Sequence, residues 1–203
     1  MGIKERKERE QEDLRQKILD AASEMFAKDG YESVSMRKIA DKIEYSPTTI
    51  YLYFKDKNDL LNQICEETFG KLIKNWQKIE NKNDDPLTGL SKAMNAYVEF
   101  GLKYPNHYDV TFTNPLADYL GKDEHPFEGS MGQKAFEHIV SQVLKSMEAG
   151  QIKQGDVATI SQLIWAMGHG IVSLLNSQKD FPFVDKNLLR EGSIDMIFNG
   201  IKT

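Results

Sequence analysis

Apolar residues in this chain recur at intervals of three and four almost throughout, and no stretch alternates apolar with polar. That period is the helical one, and its persistence leaves no material for strands. The chain is therefore expected to be all-α. It reads as an N-terminal three-helix unit, a long connecting helix and a larger helical bundle, about nine helices in all. Hydrophobic residues make up 40% of the 203, enough to bury a core.

Caps and breakers divide the pattern. The first helix is expected over 11–29, with Leu14, Ile18, Ala22, Met25 and Phe26 as its stripe and Gly30 closing it. Ser35 opens a short helix over 36–43. Ser46-Pro47 opens another over 47–53, because proline lacks the amide that has no partner in a first turn. A long helix spans 57–79 and ends in the polar run ENKNDDP. Further helices are expected over 87–103, 134–148, 156–176 and 186–201. Residues 104–133 read as irregular, with short helical turns after Pro105 and Pro115. The natural division is a front domain, 1–56, and a body, 57–203.

The net charge of −5, from 26 basic and 31 acidic residues, at first argues against a nucleic-acid partner. Its distribution argues otherwise. Residues 1–57 hold 12 of each sign, so the deficit lies entirely in the body. Within 33–57, Arg37, Lys38, Lys42, Lys55 and Lys57 outnumber Asp41, Glu44 and Asp56. The N-terminus, MGIKERKEREQEDLRQ, has no apolar signal region. The longest apolar candidate, 160–175, is broken by Gln162, His169 and Ser173, so no membrane partner is expected. The single cysteine, Cys65, excludes an intrachain disulfide and suits a reducing, cytoplasmic location. Among Leu61, Ile64 and Phe69 it reads as a small buried hydrophobe.

Residues 45–57, YSPTTIYLYFKDK, crowd aromatics and hydroxyls onto one short helix. Helix 36–43, a turn and helix 47–53 have the form of a helix-turn-helix. A helix that enters a major groove needs polar or slender side chains at its leading end, and Ser46, Thr48 and Thr49 supply them. Tyr51 and Tyr53 are long enough to reach phosphates. Ile50 and Phe54 pin the helix to its neighbours, and Tyr45 can staple its start. Arg37 and Lys57 add positive charge, Lys57 at a helix N-terminus.

The stretch SMRKIADKIEYSPTTIYLYFKDKNDLL resembles the N-terminal domain of TetR-family transcriptional regulators. Ser35, Ile39, Ala40, Ser46, Ile50, Tyr51, Tyr53, Phe54, Lys57 and Leu60 occupy places in that pattern. Glu44 stands where the family turn carries glycine, which demands an unfavourable φ or a reshaped turn. Thr48 replaces a glycine near the start of the recognition helix, which implies a different base preference. The resemblance implies that Arg37, Pro47, Thr48, Thr49, Tyr51, Tyr53 and Lys57 contact DNA. It also implies a homodimer and a palindromic operator in double-stranded DNA. The expected function is a ligand-responsive transcriptional regulator, a repressor released by a small apolar or aromatic effector. An activator, or a regulator controlled by a protein partner, fits the same residues. Trp165, His169 and Gly170 resemble the W…HG signature of one C-terminal subfamily.

In the body, Trp76, Met94, Tyr97, Tyr108, Phe112, Phe136, Trp165 and His169 are candidates to line an effector pocket, against the alternative of a packed core. Val157, Ile160, Ile164, Met167, Ile171 and Leu174 repeat at three and four, the seam of a helix lying along another. With Ile194 and Ile197 of the last helix, Ile160, Ile164, Met167, Ile171 and Leu174 are the expected dimer interface. Gly168 and Gly170 in mid-helix ask for close approach of a second backbone. No nucleophile–base pair stands out, so no catalytic residue, cofactor or metal is expected. The competing readings of a different class are an enzyme and a metal sensor using His107, Asp109, His125 and His138, whose spacing matches no ligand pattern.

Overall fold

The computed structural model describes residues 2–81, 84–113 and 127–203. Among them the chain is helical, with a single isolated bridge, Ile152 to Lys202, in extended pairing. The helices are α1 (Ile3–Asp29), α2 (Met36–Ile43), α3 (Pro47–Tyr51), α4 (Lys57–Ile79), α5 (Pro86–Lys103), α6 (Pro105–Tyr108), α7 (Met131–Glu148), α8 (Val157–Ser177) and α9 (Lys186–Ile201). A π-helical turn, Asp109–Thr113, follows α6. The nine described α-helices match the all-α expectation. The turn expected after Pro115 lies outside the described residues.

Two helices begin earlier than their apolar stripes. α1 starts at Ile3 rather than near residue 11. Its first turns have no buried face; the pairs Lys4–Glu8 (3.9 Å) and Arg6–Glu10 (2.7 Å) hold them helical instead. α7 starts at Met131 rather than 134, because the Ser130 hydroxyl accepts from the Gln133 amide at 3.1 Å.

The chain divides into two compact units. One comprises Met1–Thr68 and Asn106–Pro126, the other Phe69–Pro105 and Phe127–Thr203. α4 therefore contributes its first half to one unit and its second half to the other.

The front unit closes around Ile18, Leu19 and Phe26 of α1, Ile39 and Ile43 of α2, Ile50 of α3, Phe54, and Leu60, Leu61 and Ile64 of α4. Val110 of the π-helical turn is buried in the same cluster. Arg15 clamps α1 to α4, donating to Glu67 at 3.1 Å and Gln63 at 3.0 Å. His107 joins α6 to α1 through Asp20, at 3.0 Å. Cys65 packs against this core, and burial pushes its thiol up to about 12, so it stays protonated and unreactive.

In the body unit α5 packs against α7, α8 and α9. It starts at Asp85-Pro86, where the Asp85 carboxylate accepts from the Thr88 amide at 3.0 Å. Gly168 of α8 faces this helix: a Cβ there would overlap the Met94 sulfur, and the Tyr97 ring lies 3.5 Å away. The close neighbours are these side chains rather than the second backbone that its position suggested. Gly170, two residues on, faces open space.

Contrary to the sequence expectation, α8 is long and apolar enough to span a membrane by length and composition, with mean hydropathy 1.4 over 18 residues. Its inner residues Ser161, Ile164, Gly168, Val172 and Leu175 are buried within the bundle. Asn176 donates to the Gly101 carbonyl at 3.1 Å. Such packing is that of a bundle helix.

Candidate functional site

The front unit builds an outward-facing short helix from local signals. Ser35 caps α2, accepting from the Lys38 amide at 3.2 Å. α2 ends at Glu44, which takes the left-handed conformation (φ 64°, ψ 40°) and is the sole described non-glycine residue with positive φ. The unfavourable φ expected from the missing glycine is thus present. The Tyr45 amide then bonds to the Ala40 carbonyl at 3.0 Å and turns the chain into α3. Ser46 caps α3, accepting from the Thr49 amide at 3.1 Å, with Pro47 in the first turn. Ile50 is fully buried and Phe54 nearly so, which fixes the helix on the core. Burying such a side chain is worth about 1.5–3 kcal/mol, ample to hold one and a half turns that would melt in isolation.

This fixation sorts the predicted DNA-contacting residues. Thr48 is exposed and Tyr51 is 54% exposed. Arg37 is exposed on α2 with no bonding partner among the described residues. These three are presented outward and unoccupied. Ser46 and Thr49 are engaged with each other, their hydroxyls 2.9 Å apart, so their first duty is the cap. Pro47 and Tyr53 are half-buried, and Tyr53 lies against Phe54. Lys57 turns inward: its ammonium donates to the carbonyls of Tyr31 and Val34, each at 3.0 Å. Tyr45 is 43% exposed beneath the Lys17 ammonium, which is 5.3 Å from its ring.

The eight pocket candidates fall into separate groups. Tyr97, Phe136, Trp165 and His169 come together: the Trp165 indole donates to the Tyr97 hydroxyl at 3.3 Å, and its ring lies 6.2 Å from both Phe136 and His169. Met94 sits beside them against Gly168. Trp76 is elsewhere, buried, donating to the Ala93 carbonyl at 2.8 Å and stacked on His138 at 4.9 Å. Tyr108 and Phe112 pack on each other at 4.6 Å and belong to the front unit. Burial pushes His169 below the ordinary histidine value, so it is neutral at pH 7.

The predicted interface residues divide too. Ile164, Ile194 and Ile197 are buried within the subunit's own bundle. Met167 and Leu174 are about half exposed, and Ile160 and Ile171 partly so. An apolar groove of about 600 Å³ runs between α8 and α9. It adds Leu163, Leu189 and Met196, which sequence reasoning missed, and Gly170, which the sequence marked only as a mid-helix glycine. The signal for Leu163 was a second apolar face on α8, displaced from the first; Leu189 and Met196 lie on α9.

Of the metal candidates, His107 is held by Asp20 and His138 by Trp76, while His125 lies outside the described residues. Among the described residues no three His, Cys, Asp or Glu side chains converge.

Residues 18–64 match the family model of bacterial regulatory proteins of the tetR family, and residues 90–190 match a tetracyclin repressor-like C-terminal domain. The chain belongs to the TetR family of bacterial transcriptional regulators. This TetR-family chain is 28% identical over 189 residues to the fatty acid metabolism regulator protein of Bacillus subtilis, covering 91% of this chain and 93% of that one. Its fold is shared with a tetR-family regulatory protein from Rhodococcus RHA1 (TM-score 0.80, 18% identity, 93% and 96% of the two chains). It is also shared with Bacillus subtilis FadR in complex with stearoyl-CoA (TM-score 0.74, 22% identity, 92% and 98%). The family is one of ligand-responsive DNA-binding regulators, not of enzymes.

Proposed function

We propose that this TetR-family regulator is a homodimeric repressor that reads a palindromic operator with α3 and is released by a long-chain acyl effector. The observation that carries the reading is the outward face of α3: Thr48 and Tyr51 stand exposed, and Arg37 is exposed on the preceding helix. Hydroxyls and a guanidinium are what phosphates and base edges bind. Arg37, Thr48 and Tyr51 are assigned direct contacts. Ser46, Pro47, Thr49 and Tyr53 shape the helix that carries them, and Lys57 closes the loop behind it.

The α8–α9 groove supports pairing with a second copy, since two recognition helices must sit about 34–36 Å apart to enter successive grooves. The acyl effector is supported by the Bacillus subtilis relative named for fatty acid metabolism and by the stearoyl-CoA-bound neighbour. Tyr97, Phe136, Trp165 and His169 are the body residues proposed to meet it. In this reading the effector acts through α4, which runs from one unit into the other. The effector must bind the released state more tightly, or nothing moves.

The test is enrichment of duplexes from a random pool by the full-length protein, followed by titration with acyl-CoA thioesters of increasing chain length. Two-fold symmetric sites released by a long-chain thioester are expected. Sites without symmetry, or complexes indifferent to every thioester, would overturn the corresponding half of the reading.

A further inference from the structure

We propose that Leu52 is a base-reading residue, its side chain contacting the 5-methyl group of a thymine in each half-site. The inference rests on the reading of α3 as the operator-reading helix and names what that helix selects.

Leu52 is 79% exposed, the highest fraction among the described large hydrophobic side chains. One exposed leucine means little by itself. Its place decides the matter. Residues 48, 51 and 52 stand three and four apart, so on a helix they share one face. Leu52 keeps right-handed helical dihedrals (φ −74°, ψ −19°), and its amide bonds back to the Thr49 and Ile50 carbonyls. The direction of its side chain is therefore set by α3 rather than by a loose loop. Elsewhere around the helix, Ile50 and Phe54 are buried, and the Thr49 hydroxyl is tied to Ser46. The outward face is thus Thr48, Tyr51 and Leu52.

Chemistry narrows the target. A leucine side chain has no donor or acceptor, so it offers nothing to a phosphate or to a base heteroatom. The major-groove edges of the four bases present one apolar group, the thymine methyl. Thr48, one turn before Leu52, adds a methyl of its own, and the exposed Tyr51 flanks the pair. The patch is continuous with the DNA-reading face of a TetR-family regulator, which commits it to duplex DNA.

The test uses full-length protein and the duplex it enriches from a random pool. Each thymine of a half-site is replaced in turn by deoxyuridine, which removes only the methyl. At one position per half-site the wild type should weaken about four-fold, the worth of one buried methyl group. Leu52→Ala should bind the unmodified duplex more weakly by a similar factor and be indifferent to deoxyuridine there. Leu52→Met, which keeps apolar reach, should retain the sensitivity. Wild-type indifference at every thymine, or undiminished sensitivity in Leu52→Ala, would overturn the assignment while leaving the regulator intact. A wild type that enriches no duplex defeats the operator-reading proposal, and this one with it.

Discussion

The Lys57 ammonium lies 3.9 Å from the centre of the Tyr31 ring and donates to the carbonyl of that same residue at 3.0 Å. A second bond, to the Val34 carbonyl, makes Lys57 the tie between the loop after α1 and the start of α4. Lys57→Ala is therefore expected to lower the stability of the front unit by about 1–2 kcal/mol, as removing hydrogen bonds from a charged donor does. Urea unfolding monitored by helical circular dichroism reads this directly. An unchanged midpoint would show that the tie contributes nothing and that Lys57 is free for a phosphate.

Arg37 and Tyr51 allow a cleaner test of the DNA face, because neither is needed by the fold. Arg37→Ala should reduce the slope of log affinity against log salt by about 1 for each phosphate the guanidinium neutralises in the wild type. Tyr51→Ala should weaken operator binding about ten-fold at fixed salt, the scale of one hydrogen bond to a charged group. Helix content and oligomeric state should stay as in the wild type. Unaltered affinity in both variants would remove the recognition face from α3.

Glu44 occupies a conformation that costs a non-glycine residue about 1–2 kcal/mol. Glu44→Gly relieves that cost and gives back part of it in unfolded-state entropy. A net gain of about 1 kcal/mol is expected in thermal or urea unfolding. Glu44→Val, β-branched in the same turn, should move the other way.

These residues also show which parts of the molecule could be read in advance. The front unit was legible because its signals are local. Ser35 and Ser46-Pro47 announce helix starts within four residues, and the missing turn glycine announces the strain at Glu44. The first turns of α1 were not legible, since Lys4–Glu8 and Arg6–Glu10 replace the apolar face that periodicity detects. The body was harder for another reason. Ile164 and Met167 belong to one three-four series, yet Ile164 is buried and Met167 is half exposed. α8 is apolar on two faces, and spacing reveals a stripe without naming the neighbour it meets. Likewise Trp76 and Trp165 look alike in sequence, but the first donates to a backbone carbonyl and the second to Tyr97.

The two faces of α8 can be separated by substitution. Leu163→Glu places a charge in the α8–α9 groove and should yield a folded monomer in sedimentation, with operator affinity abolished. Ile164→Ala should leave the oligomer intact at working concentration but cost about 2–5 kcal/mol of stability, because it opens a cavity inside the bundle. If Leu163→Glu remains dimeric, the second copy binds elsewhere.

His138 stacks on Trp76 at 4.9 Å, and burial pushes its imidazole below the ordinary histidine value, with the Glu80 carboxylate opposing and Lys145 reinforcing. The folded chain thus binds this proton less readily than the unfolded chain. Stability from this site is full above the unfolded value, about 6.5, and declines as pH falls through it toward the lower folded value. Urea midpoints should therefore drop between about pH 7.5 and 5.5. His138→Phe, which preserves the stacking surface and cannot titrate, should lose that part of the pH dependence; the remainder includes His169, shifted the same way by its own burial. The same stack gives a second readout, because a protonated imidazole against the indole quenches its emission. In a Trp165→Phe background, which removes the second tryptophan that lies beside His169, emission should fall on acidification and stay level once His138→Phe is added. Parallel pH profiles in the two proteins would mean that His138 titrates as freely folded as unfolded.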